Sequence, residues 1–109
     1  MHTSTAESMV DLYRIPAGPE LDRLVHEKVF QSAPSHEVPQ YSSDEDLARQ
    51  VYKQLKREVD SSIVMGKTRS SHAKRYFARY GTDPSTSTEV LAESLPLAIC
   101  RMAVLRLRH

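Results

Sequence analysis

Cationic and aromatic side chains alternate in one short segment of the 109-residue sequence. Between Gly66 and Gly81 there are five basic residues and no acidic residue. Cations neutralise phosphate groups, and aromatic rings stack on bases with about 1–3 kcal/mol per base. The segment is therefore a candidate surface for a nucleotide or another anionic ligand. Its candidate ligand-binding residues are Lys67, Arg69, Lys74, Arg75, Arg79, Tyr76 and Tyr80, with Phe77 among them.

The same segment has two other interpretations. It is consistent with an edge hairpin whose charges prevent pairing with other chains, and also with a protein-binding surface. The formal net charge of the chain is +1, so the chain as a whole has no strong attraction to nucleic acid or anionic membranes. Any electrostatic specialisation must therefore be local.

Catalytic and metal-binding patterns are absent from the sequence. The five histidines do not stand at metal-ligand spacing from one another or from cysteine, and the run Asp44–Asp46 fits the start of a helix, where acids complement the dipole. Gly66-Lys67-Thr68 is not a phosphate loop, because Ser61 and Ser62 stand where its first glycine would be needed. Cys100 is a single cysteine in an apolar stretch, which favours a buried, inert thiol. The sequence predicts no enzyme, no cofactor and no metal site.

Two helices are predicted in the first half of the chain. Pro19 after Gly18 suits a first helical turn, and the spacing predicts a helix over 19–30. A second helix is predicted from Ser42 or Ser43, each of which has an acid three residues on, to about residue 57. The apolar faces are formed by Leu21, Leu24, Val25 and Val29, and by Ala48, Val51, Tyr52 and Leu55.

The last predicted helix, over 96–107, is the most apolar. Ser94 can cap it, and Pro96 is tolerated in its first turn. Its polar residues are confined to Arg101, Arg106 and Arg108. A helix that is apolar over most of its circumference is buried on more than one side. It is either a central core helix or part of a subunit interface.

Two strands are predicted, over 61–69 and 74–82, because β-branched and aromatic residues are common there. Alternation places Phe77 on one face with Arg75 and Arg79, and Tyr76 on the other face with Ala78 and Tyr80. One of these faces must cover the core. The segment 89–93 fits either a third strand or the lead-in to a helix.

These elements predict an α+β protein of one domain over 1–109, a small α/β/α layered sandwich in which three helices pack on an antiparallel sheet. Residues 1–8 are polar and are expected to be loose, and 9–15 are expected to form one or two helical turns. No apolar run approaches the length of a membrane span, and the start lacks a signal-peptide pattern. The expected location is the cytoplasm.

Three blocks of the sequence resemble a known family. Residues 18–29 (GPELDRLVHEKV), 41–44 (YSSD) and 96–101 (PLAICR) resemble, in order and spacing, the phage ABA sandwich domain family. The resemblance implies an α/β/α layered fold and a phage or prophage origin, and it brings no assigned reaction. The chain departs from the family pattern, because relatives carry tryptophan and more cysteine in their central strands, whereas this chain has no tryptophan and basic strands.

The sequence and the resemblance together predict a phage or prophage accessory protein without catalytic activity in the host cytoplasm. Its expected ligand is an anionic, nucleotide-type small molecule, which it would bind or sequester, for example a host defence signal. The alternative is a module that binds a host protein or forms a homo-oligomer through the apolar C-terminal helix. A small hydrolase is a third reading, but no cluster of acid, base and nucleophile supports it.

Overall fold

Within residues 14–31, 38–68, 76–81, 85 and 87–107, which the computed structural model describes, the chain forms three helices and three strands. The predicted α+β class, with three helices and an antiparallel sheet, is confirmed. Residues 1–13, with the expected loose start and most of the first helical turns, lie outside the described residues. The elements are α1 (Pro19–Lys28), α2 (Glu45–Glu58), β1 (Val64–Lys67), β2 (Tyr76–Tyr80), β3 (Thr88–Ala92) and α3 (Leu95–Arg106).

Helix α3 forms the middle layer of the molecule. It contacts all three strands on one side and both other helices on the other, so the layers run from the sheet through α3 to α1 and α2. Every residue from Pro96 to Leu105 is buried, which confirms that the apolar helix is a central core helix. Cys100 is buried with it, and burial raises the pKa of its thiol. None of the helices within the described ranges is long and apolar enough to cross a membrane.

The helix starts differ in how well the sequence predicted them. Ser94 caps α3 as predicted, because its side chain accepts a hydrogen bond from the Leu97 N–H. Helix α2 is capped by Asp44, which accepts from the Leu47 N–H at 3.1 Å, and not by Ser42 or Ser43. The prediction was wrong because Ser42 is buried and makes a different contact.

Ser42 joins the start of α2 to α1. Its N–H and its hydroxyl both donate to Asp22 Oδ1, at 2.8 and 2.6 Å, and its Oγ accepts from the Gly18 N–H at 3.0 Å. Asp22 is 4% exposed and Ser42 1%, although the sequence suggested only a dipole role for Asp22. Beside them, Tyr41 contacts the His26 ring, with 2.9 Å between the Tyr41 hydroxyl and Nδ1. Burial raises the pKa of Tyr41, and nearby Cys100 and Asp22 raise it further.

Arg101 is buried in α3, where the sequence suggested a polar face. Its Nε donates to the Ile15 carbonyl at 2.8 Å, and its Nη1 donates to the Leu91 carbonyl at 3.3 Å. Burial lowers the pKa of Arg101, and the charge of Glu93 opposes that shift. The guanidinium therefore links the middle layer to β3 and to the chain before α1.

Asp60 holds together the ends of four elements. Its Oδ1 accepts from the Ser62 N–H and hydroxyl, and its Oδ2 accepts from Arg106 Nε at 2.8 Å. Ser62 Oγ in turn accepts from the Gly81 N–H at 3.1 Å, just after β2. Burial by itself raises the pKa of Asp60, but the hydrogen bonds from Ser62 and Arg106 outweigh it and lower the pKa below its ordinary value.

Replacing Ser42 with alanine is expected to lower the free energy of unfolding by about 1–3 kcal/mol, because Asp22 and the Gly18 N–H lose a buried partner. Urea unfolding measures the change. Ser43→Ala is the matched control, since Ser43 is exposed and adjacent, and it should change stability by less than about 0.5 kcal/mol. Equal effects of the two substitutions would contradict the role given to Ser42.

Asp60→Asn is expected to lower the free energy of unfolding at neutral pH by about 1–2 kcal/mol. The pKa of Asp60 is lower in the folded than in the unfolded state, so its ionised carboxylate stabilises the fold. This contribution to the free energy of unfolding is fully present above the unfolded pKa and is lost as the pH falls through the folded pKa. The variant should therefore lose less stability on acidification than the wild type, as measured by urea unfolding at neutral and acidic pH. Glu58→Gln, in an exposed pair with Arg57, is the control. A parallel pH dependence in wild type and Asp60→Asn would contradict the assignment.

Candidate functional site

The strand register separates the two faces of the sheet. Both pairings are antiparallel, and the order is β1-β2-β3, so the undecided segment 89–93 contributes a third strand. Ala78 is fully buried, and the residues in register with it, Met65 and Val90, face the same way towards α3. The opposite face, here called the outer face, is formed by Val64, Gly66, Phe77, Arg79, Glu89 and Leu91.

The predicted binding residues are divided between these faces. Tyr76 and Tyr80 share the face of Ala78 and pack against the core, so neither contributes to the outer face. Lys67 is in register with Tyr76 and is exposed at the end of β1. Arg79 is on the outer face. Arg69, Lys74 and Arg75 lie outside the described residues.

Phe77 is the aromatic centre of the outer face. It pairs with Gly66 on β1, and a Cβ added to Gly66 would lie 2.9 Å from Phe77 Cε1. The ring therefore occupies the space above a residue that has no side chain. The Arg79 guanidinium lies over the same ring, with 5.5 Å between Cζ and the ring centroid. The arrangement is an aromatic ring covered by a cation on its solvent side.

Arg79 also faces Glu89 across the β2–β3 pairing. The shortest distance between the guanidinium and the carboxylate is 3.9 Å, and the side chains are 44% and 47% exposed. An exposed ion pair of this kind contributes about 0–1 kcal/mol, and an exposed cation–π contact contributes about 0.5–1 kcal/mol. Both side chains can therefore turn towards a ligand at little energetic expense.

Leu91 adds exposed apolar surface beside Phe77. It pairs with Phe77 in the register and is 42% exposed, which is high for a large apolar side chain. The sequence alone does not place Leu91 or Glu89 on a surface, because the segment 89–93 fits either a strand or the lead-in to a helix. The alternation of Val90 and Ala92 with Glu89 and Leu91 was the available indication of a half-buried strand.

No group of three or more His, Cys, Asp or Glu in the part of the chain that the structure describes is arranged to hold a metal ion. The Asp22–Ser42–Tyr41 cluster and Cys100 are enclosed within the core. The Asp22–Ser42 hydrogen bonds join α1 to the segment before α2, and the outer face remains the candidate binding surface.

The fold is similar to that of a phage protein from Bacillus cereus ATCC 14579, known from a crystal structure. The TM-score is 0.67 at 23% sequence identity, and the similarity covers 88% of this chain and 94% of that chain. At this identity the similarity shows a common fold. No protein-family model matches the chain, and no curated protein matches it. Membership of the phage ABA sandwich family therefore stays a prediction.

Proposed function

We propose that the chain is a phage- or prophage-encoded accessory protein without catalytic activity that binds a nucleotide-type small molecule in the host cytoplasm. The observation that carries the proposal is the outer face, where the Arg79 guanidinium lies over the Phe77 ring. The similarity in fold to a Bacillus cereus phage protein supports the phage origin. Sequestration of the ligand, including a host defence signal, is part of the same proposal.

Charge and shape support an anionic ligand with a flat apolar part. The sequence between β1 and β2 contains Arg69, Lys74 and Arg75 without an acid. On the outer face itself, Phe77 suits a base and the Arg79 guanidinium supplies the positive charge for an anion. Lys67 is exposed but shares the face of Tyr76, opposite Phe77. Base stacking at about 1–3 kcal/mol exceeds the cation–π contact between Arg79 and Phe77, so a base can displace the guanidinium from the ring.

The size of the outer face favours a small molecule over a protein. Strands of at most five residues, at about 3.3 Å per residue and about 4.8 Å between strands, give a face of about 200 Å². A stable protein interface needs about 800 Å² from each partner. The outer face alone therefore suits a small ligand, whereas a second protein would need additional surface.

A host protein or a second copy of the chain is the second candidate partner, favoured by the exposure of Leu91. The apolar residues of α3, which the sequence suggested as an interface, are buried within the single chain and do not reach a partner. Such an interaction would therefore use surface outside α3, including Leu91 on the outer face. Sedimentation over a range of protein concentrations, with Leu91→Asp for comparison, distinguishes self-association from nucleotide binding.

Titration calorimetry with mono-, di- and cyclic nucleotides tests the proposed function. We expect at least one nucleotide to bind, and Phe77→Leu to weaken binding roughly tenfold or more because it removes the stacking ring. Arg79→Ala should also weaken binding, and higher salt should weaken it further by screening.

Arg49→Ala is the matched control for Arg79→Ala. Arg49 pairs with Glu45 on α2, with exposures of 48% and 56%, close to those of the Arg79–Glu89 pair. The Arg49→Ala variant should therefore bind nucleotides as the wild type does. Absence of binding to every nucleotide, or binding that neither Phe77→Leu nor Arg79→Ala affects, would contradict the proposal and favour a protein partner.

A further inference from the structure

Glu89 is the acidic residue among the six residues of the outer face, and the strand register determines its position relative to Phe77 and Arg79. Phe77 pairs with Leu91, and Arg79, two residues further along β2 on the same face, pairs with Glu89. The aromatic ring and the Arg79–Glu89 pair are therefore neighbours on the outer face. A base stacked on Phe77 has this ion pair on one side.

Glu89 lies within reach of such a base. It is two residues from Leu91, the direct partner of Phe77, so Glu89 and Phe77 are diagonal neighbours. Diagonal neighbours in an antiparallel sheet are about 7–8 Å apart, a distance that a glutamate side chain can span to the edge of a stacked ring. The 3.9 Å separation from Arg79 and the 47% exposure leave the carboxylate oxygens accessible to further donors.

A carboxylate beside a guanidinium favours one particular base. A carboxylate only accepts hydrogen bonds and a guanidinium only donates them. Guanine presents two adjacent donors, N1–H and the 2-amino group, on one edge, and two acceptors, O6 and N7, on another. Adenine presents one amino group beside a ring nitrogen that only accepts. A carboxylate can therefore form only one hydrogen bond with that edge of adenine. Arginine paired with O6 and N7 is a common means of recognising guanine.

We propose that Glu89, with Arg79, makes the outer face selective for guanine nucleotides. Glu89 accepts from N1–H and the 2-amino group while the base stacks on Phe77. This inference rests on the nucleotide-binding function proposed above. It adds the identity of the base and the residue that distinguishes it.

Titration of GMP, IMP and AMP into the wild type and Glu89→Gln tests the inference. We expect the wild type to bind GMP roughly tenfold or more tightly than AMP, with IMP between them because it lacks the 2-amino group. Glu89→Gln should weaken GMP binding by a similar factor and leave AMP binding nearly unchanged. The substitution preserves side-chain size, and the thermal unfolding midpoint verifies that the variant is folded.

Glu45→Gln, which alters the comparable exposed pair on α2, is the control and should retain the preference for GMP. Equal binding of GMP and AMP by the wild type, or an unchanged preference in Glu89→Gln, would overturn guanine selection while leaving nucleotide binding intact. Binding of none of the three nucleotides would instead remove the guanine inference, and the wider nucleotide panel then decides the proposed function. The two failures are therefore distinguishable.

Discussion

A helix without a polar face must be surrounded, and the rest of the structure follows from that constraint on α3. All residues from Pro96 to Leu105 are buried, so the sheet has to cover one side of the helix while α1 and α2 cover the other. A sheet that uses one face for this purpose has its second face left for other contacts. Arg101 is the charged residue within this buried helix. Hydrogen bonds to two backbone carbonyls compensate for the burial of its guanidinium.

The sequence predicted what depends on local pattern and did not predict what depends on distant contacts. The three helices and two of the strands were recognisable because periodicity and capping residues are local properties. Asp44 was not recognised as the cap of α2, since Ser42, Ser43 and Asp44 all suit that position by type. What excludes Ser42 is its contact with Asp22, twenty residues away, which no local pattern reveals.

The candidate site was predicted in part for the same reason. Alternation sorted the residues of β2 into two sets correctly, but it could not determine which set faces the core, because each set contains an aromatic residue. The position of α3 over Ala78 determined it, and Phe77 and Arg79 then belong to the outer face. Glu89 and Leu91 could be added only when β3 was seen to pair with β2.

The separation of the three sequence blocks from the outer face has an evolutionary consequence. The blocks over 18–29, 41–44 and 96–101 supply contacts between helices and to the core, whereas the outer face is built from alternate positions of strands that lie outside them. Substitutions at outer-face positions would alter this surface without disturbing the residues that hold the fold together. Gly66 is the exception, since any side chain there would displace Phe77. This architecture therefore allows the chemistry of the outer face to change while the fold is retained.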